Sequence, residues 1–390
     1  MQPARALHRH QSSLEGIINF SERPPLTPTE RTSASRRFYL LVNHFDTGAS
    51  KGQYDRVKLV RFTFEYARSE ESKGNLLRAF FDIVELPLEA DSDEDRDIDL
   101  TDKAQLALLH ESIFGFADYL FENFFLPVKA STRKTPQPSP ASRSAIQKAQ
   151  GQEYNFAGTP ERVSALRGAC LVRDRYRCVV SRKFDRAEAI RRRDPQGNEP
   201  RDEDGNPLRG QSFDALEVAH ILPHSLTQVN SKRQLDPSRE AALAILNMFD
   251  SGAGFMIEGT NIDRPRNALT LTPSLHQMFG DFQVFFEPVS QQPHTYRIDT
   301  FLDYWLLEDL LPATRTLYLT ESRTIDPPSA RLLAIHNAIA HILHLSAAGD
   351  YIDKIFRDLE EHGVRQDGST ELASFVSLRL NGWSVGEVSG

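Results

Sequence analysis

Residues 267–279 read Asn267-Ala268-Leu269-Thr270-Leu271-Thr272-Pro273-Ser274-Leu275-His276-Gln277-Met278-Phe279. The stretch from Asn267 to Thr272 reads as a short strand. Thr272-Pro273 then offers an N-cap hydroxyl followed by proline at the first helical position, and Gly280 closes the short helix so opened. Upstream, Phe213 to Leu222 (FDALEVAHIL) alternates well enough for another strand, which Pro223 stops. The order is therefore strand, strand, helix. His220 ends the first strand, Asn267 begins the second and His276 lies in the first turn of the helix. Short adjacent elements are expected to bring these three side chains to one cleft between a β-ribbon and a helix.

Outward from this unit the chain divides by composition. Asp236-Pro237 opens a helix through Ala241, Ala242, Leu243, Ile245 and Leu246 in the connection between the two strands, and Phe282 to Phe286 predicts a further strand. Residues 1–35, with Pro24, Pro25 and Pro28, read as a disordered lead-in, and 36–126 as a helical N-terminal domain. That domain is interrupted by a run of acids from Asp91 to Asp102, expected to be a solvated loop. Residues 127–155, rich in Pro, Ser and Lys, read as a linker. The strand-strand-helix domain then spans 156–290. Residues 291–390 are expected to be mostly helical and to pack on that core, with Leu332, Leu333, Ile335, Ile339, Ile342 and Leu343 forming one stripe.

Composition bounds the function. The chain has 390 residues, 39% of them hydrophobic, which suffices for buried cores. Two cysteines exclude a disulfide scaffold and a four-thiolate zinc site; Cys170 and Cys178 are expected to be small buried hydrophobes. No run approaches the roughly 18 apolar residues of a membrane span, so the expectation is an intracellular protein with no membrane partner. Cytoplasm and nucleus stay open, since Arg191-Arg192-Arg193 is too short a basic run to serve as an address. The formal charge of −8 argues against non-specific coating of nucleic acid while allowing a local basic patch.

The order His220, Asn267, His276 resembles the HNH endonucleases. Ala219-His220-Ile221-Leu222-Pro223 is similar to the A-H-I-x-P signature of a subfamily found in fungal and bacterial proteins, and residues 267–279 resemble its second half, N-x-L-x-L-x-x-x-L-H-x-x-F. The resemblance covers roughly residues 168–288, and the flanks look like those of fungal members. It implies an α+β fold: a ββα-metal core with long insertions, flanked by mostly helical regions. It also implies a metal-dependent endonuclease acting on nucleic acid, DNA in the first instance. The alternative is a catalytically inactive HNH-fold protein that binds nucleic acid or protein.

By this resemblance His220 is the general base, Asn267 orients its ring through the side-chain amide or by shaping the turn, and His276 is a metal ligand. The cofactor implied is a divalent metal ion: Mg, Mn, Ni or Zn. Many members carry Asp or His immediately before the base, whereas this chain has Ala219, which coordinates nothing. Glu217, two residues earlier on the same strand face, is the expected substitute, with His224 and Asp281 as other candidates. The partner argument rests on basic residues. From Arg162 to Arg193 there are eleven Lys and Arg against three acids. Arg175, Arg177, Arg182 and Lys183 are accordingly expected on nucleic-acid phosphates, with Arg264 and Arg266 close to the reaction.

Overall fold

A computed structural model describes residues 24–48, 53–88, 98–132, 159–193, 199–228, 234–320, 324–362, 378 and 383. The N-terminal elements are α1 (Pro28–Phe45), α2 (Arg56–Glu65), α3 (Glu70–Ile83), α4 (Lys103–Leu120), a π-helical turn at Phe121–Phe125 and α5 (Leu126–Thr132). The middle of the chain gives α6 (Thr159–Arg173), β1 (Phe184–Asp185), α7 (Arg186–Arg191), β2 (Phe213–Asp214), β3 (Glu217–His220), α8 (Pro237–Phe249) and α9 (Ala253–Ile257). There follow β4 (Ala268–Leu271), α10 (Pro273–Gly280), β5 (Val284–Pro288), β6 (Thr295–Thr300), β7 (Ala313–Thr316), α11 (Ala330–Leu345) and α12 (Ala348–His362). The fold class is α+β, as expected. No single helix among the described residues is long and apolar enough to cross a membrane.

The chain forms two compact units, each built from separated stretches of sequence. The first takes Met1–Ala130, Gln228–Met256 and His341–Trp383. Its core is aromatic: Phe38 meets Phe64 and Phe80 at centroid distances of 4.7 and 4.9 Å. The connection helix α8 packs on α3 and on the π-helical turn. Order begins earlier than the composition implied. Thr27 and Glu30 form a capping box and Pro28 occupies the first turn of α1, so a proline that reads as a breaker acts as a helix starter. The expected linker likewise begins as helix α5, whose Val128, Lys129 and Ala130 are buried. The rest of the expected lead-in and linker, and Asp91 to Asp97 of the acidic run, lie outside the described residues.

The second unit takes Ser131–Thr227, Ile257–Ala340 and Ser384–Gly390. Its centre is the antiparallel ribbon of β3 and β4, with Glu217 opposite Leu271 and His220 opposite Ala268. Helix α6 lies on one face, where Leu166 and Cys170 bury Val218 and Ala268. Helix α10 packs on β3 as well. Thr272 takes the extended conformation of an N-cap residue, but its hydroxyl bonds no helix N–H. A fully buried Arg173 secures the ribbon from α6: it pairs with Asp174 at 2.8 Å and donates to the carbonyls of Pro265 (2.7 Å) and Ala268 (2.9 Å). Both cysteines are free and buried, as their apolar settings suggested, and burial pushes the Cys170 thiol up to about 12.

The region after 290 opens with strands before the expected helices. Strands β5, β6 and β7 form a three-stranded antiparallel sheet before helix resumes at α11. Thr295, Tyr296 and Ile298 are buried in β6, and β-branched and aromatic residues of this kind suit a pleated surface better than a helix. Residues from His341 onward group with the first unit, not with the ribbon. Within the second unit, His336 of α11 is sandwiched between the rings of Phe279 (3.9 Å) and Phe282 (4.6 Å), and its Nε2 bonds the Phe279 carbonyl at 3.0 Å.

Burial holds the His336 imidazole neutral, with its pKa pushed down to about 3. The unfolded imidazole titrates near 6.5, so the unfolded state alone gains a proton as pH falls below that value. Stability contributed by neutral His336 is therefore complete above about pH 6.5 and declines as pH falls toward 3. Urea unfolding of parent and His336→Phe at neutral and mildly acidic pH checks this: the variant keeps the ring sandwich and should lose less stability on acidification. Equal losses in the two proteins would refute it.

Candidate metal centre

Strand alternation decides which side chains meet. Val218 and His220 share the α6 face of the ribbon, while Glu217 and Ala219 share the α10 face. On the α10 face, His276 Nδ1 lies 2.8 Å from a Glu217 oxygen. Burial lowers the His276 pKa, against the pull of Glu217, and the charge of His220 adds to the lowering. His276 and Glu217 thus form one pair, and His220 belongs to a different group. His276 and His220 therefore bond different carboxylates, although the charge of His220 is still felt at His276. Period-two geometry sends neighbouring strand residues to opposite faces.

The partners of His220 come from the connection between the strands. Its Nε2 lies 3.2 Å from Asp263 Oδ1, and Nδ1 of His224 reaches the same oxygen at 2.9 Å. The other carboxylate oxygen pairs with Arg162 Nε of α6 at 3.3 Å. Asp263 is buried, and burial alone would favour its neutral form. The hydrogen bonds and charges of the two histidines outweigh that and hold its pKa well below the usual carboxylate range. His224 sits in a 3₁₀ turn, His224–Thr227, with its side chain 30% exposed, so the group opens to solvent on that side.

Asn267 holds this arrangement without touching an imidazole. It is fully buried; its Oδ1 accepts from the Leu222 N–H at 3.0 Å, and its Nδ2 donates to the carbonyls of Leu222 and Ile262, both at 3.0 Å. Its own carbonyl accepts from the Ile221 N–H at 2.8 Å. Of the two roles considered for Asn267, the one the geometry displays is shaping the backbone. His220 and His224 flank Leu222 in sequence and Asp263 follows Ile262, so a single carboxamide pins the chain next to each of the three.

Donor atoms of His220, His224 and Asp263 all lie within 4.8 Å of one another. Two imidazoles and one ionised carboxylate fit a divalent cation of the first transition row; Mg prefers an all-oxygen shell. A shallow cleft beside them is lined by Arg162, Thr260, Asp263, Arg264 and Pro265. Arg264 is exposed there, while Arg266 is half-buried and its carbonyl accepts from the Ser329 N–H at 2.8 Å. His224 carried a sequence signal, a second histidine just past Pro223. Asp263 carried none, because it sits outside any strand or α-helix and finds its partners through long-range contacts.

The basic stretch is largely neutralised within the fold. Arg175 pairs with Asp204, Arg177 with Asp202 at 2.8 Å, and Lys183 with Asp214 at 3.0 Å. Those acids belong to the turn-rich insertion of residues 191–209 and to β2, beyond the window in which the basic excess was counted. Arg182 lies over the ring of Tyr318, with its guanidinium carbon 4.5 Å from the centroid, and no carboxylate among the described residues pairs with it.

Removing the Asn267 carboxamide strips three buried hydrogen bonds, so Asn267→Ala should cost about 2–4 kcal/mol. Asn267→Asp should cost at least as much, because a carboxylate would face two carbonyls that both need donors. Urea unfolding followed by circular dichroism checks this. Two variants of parental stability would show that Asn267 does not brace the backbone.

Compared with curated proteins and with solved structures, the chain matches none. A protein-family model described as HNH endonuclease does match, over residues 178–287. That span holds β3, β4 and α10, together with His220, His224, Asp263, Asn267 and His276. The ribbon and the helix against it therefore identify this segment as a domain of the HNH endonuclease family.

Proposed function

We propose that this domain hydrolyses phosphodiester bonds in nucleic acid, with DNA the first substrate to test, using a divalent cation held by His220, His224 and Asp263. The observation that carries the reading is the convergence of two imidazoles and an ionised carboxylate beside a cleft with two arginines. The cation would supply Lewis acidity toward a phosphoryl oxygen and lower the pKa of a bound water. The remaining roles belong to the chain. Asp263 keeps both imidazoles oriented, and Asn267 keeps their backbone in place. Arg264, exposed at the cleft, offers a fixed positive charge to the phosphate, and Arg162 shares that wall while paired with Asp263. His276 and Glu217 brace α10 against β3 on the opposite face.

A specific observation favours a second reading of His220. Its Nδ1 is buried and has no hydrogen-bond partner among the described residues. An imidazole that binds a metal through Nε2 ordinarily donates its other N–H to an acceptor. With Nε2–H held by Asp263, Nδ1 would instead be the lone pair of a general base. The inactive HNH-fold alternative, in which the same segment binds nucleic acid without cutting it, makes a third outcome measurable in one assay.

Purified protein is incubated with supercoiled plasmid and Mn²⁺, Ni²⁺, Zn²⁺ or Mg²⁺, and cation affinity is measured by calorimetry. His224→Ala and Asp263→Asn should lower both nicking and affinity at least tenfold, since losing even a group that only hydrogen-bonds to a ligand costs about 10- to 100-fold. His220→Ala should do the same if His220 is a ligand, and should abolish nicking at parental affinity if it is the base. His276→Ala, checked for folding by its melting temperature, should keep cation affinity. Nicking that is equal in the parent and all three cluster variants would exclude catalysis at this centre.

A further inference from the structure

Away from the cleft, the second unit holds a pair of arginines whose charge no carboxylate among the described residues bonds. Arg182 adopts a left-handed backbone conformation (φ 63°) in the turn before β1, and its Nη2 donates to the Thr316 carbonyl at 2.6 Å. Arg315 reaches back from β7, donating through Nε to the Val180 carbonyl at 2.7 Å and through Nη1 to the Thr314 carbonyl at 3.1 Å. The two side chains thus cross between the same two segments in opposite directions. Tyr318 lies beside them, with Arg182 at 4.5 Å and Arg175 at 5.2 Å from its ring centroid.

Two features set this pair apart from the neutralised arginines around it. Nη1 of Arg182 is buried and has no hydrogen-bond partner. Burial and the nearby Arg315 charge together hold Arg182 below its ordinary pKa, against the pull of Tyr318 and Asp174. Asp174 offers little relief, because both of its carboxylate oxygens are bonded to Arg173. A buried donor without a partner is costly, and like charges held together add to that cost. An anion with several acceptor oxygens offsets both positive charges at once, and a phosphate matches the fork of a guanidinium.

We propose that Arg182 and Arg315, with Tyr318 as the ring that keeps Arg182 in place, form a clamp for one backbone phosphate of a nucleic-acid substrate. The inference rests on the phosphodiesterase reading for its choice of ligand and lies outside the cation cluster. The clamp positions the strand by its charge, carries no base specificity, and takes no part in the bond cleavage. It also accounts for a basic group beyond the matched 178–287 segment, since Arg315 and Tyr318 belong to β7 and the residues after it.

The test measures binding of a short fluorescein-labelled DNA duplex by fluorescence anisotropy in EDTA, over a series of salt concentrations. The parent, Arg182→Gln/Arg315→Gln and Tyr318→Glu are compared. Tyr318→Glu leaves both arginines and their carbonyl bonds in place while supplying a carboxylate, which guards against loss of folding in the double variant. Both clamp variants should bind about tenfold more weakly, with a log–log salt slope shallower by about 1, as expected for one lost phosphate contact.

Parental affinity and slope in both clamp variants would overturn the clamp, as would a parent that does not bind the duplex. The plasmid assay keeps the two proposals separable. Nicking by the parent with unaltered binding in the clamp variants removes the clamp and leaves the reaction. Weakened binding in those variants, with no nicking by the parent, removes the reaction and leaves the clamp.

Discussion

The whole centre depends on one buried carboxamide. A planar amide offers an acceptor on one side and two donors on the other, and Asn267 spends these on both polar groups of Leu222 and on the Ile262 carbonyl. Asp lacks the donors, and Gln carries the same groups one methylene too far out. Three stretches of backbone are thereby closed onto one another: the exit of β3, the end of the connection and the entry to β4. His220, His224 and Asp263 are attached to those stretches, so their mutual distances follow from a bond none of them makes.

Charge at the centre is arranged with economy. Asp263 carries the only carboxylate of the cluster and shares it among His220, His224 and Arg162. Because that carboxylate stays ionised despite its burial, the two imidazoles face a fixed negative charge whatever occupies the cleft. Arg173 does related work behind the ribbon, where a fully buried guanidinium holds carbonyls from both sides of Asn267. Burying such a cation is tolerable only with its partners in place; it fixes geometry more surely than it adds stability.

Much of the architecture was legible because its signals are local. Proline at a first helical turn, a glycine stop and apolar alternation each act within a few residues, and they located β3, β4, α8, α10 and α11. The composition of site pairs was harder. Period-two alternation separates His220 from Glu217 in the sequence, but it does not say which carboxylate each imidazole bonds. Asp263 was invisible, since nothing local distinguishes it from other acids in a turn. The basic count misled for a related reason: it was taken over residues 162–193, whereas the neutralising acids come from residues 202–214 and fold back onto it. At the other end, Pro28 looked like part of a disordered stretch because prolines at helix starts and prolines in coils are the same letter.

That fold-back gives the turn-rich insertion a part in the electrostatics of the domain. Asp202, Glu203 and Asp204 act as tethered counterions for Arg177, Arg192 and Arg175. Trimming the loop would do more than shorten an ornament, because it would unmask cations that the intact chain keeps quenched. A domain pared to its minimal ribbon would then adhere to any polyanion offered, and that stickiness would say nothing about the substrate of the intact chain.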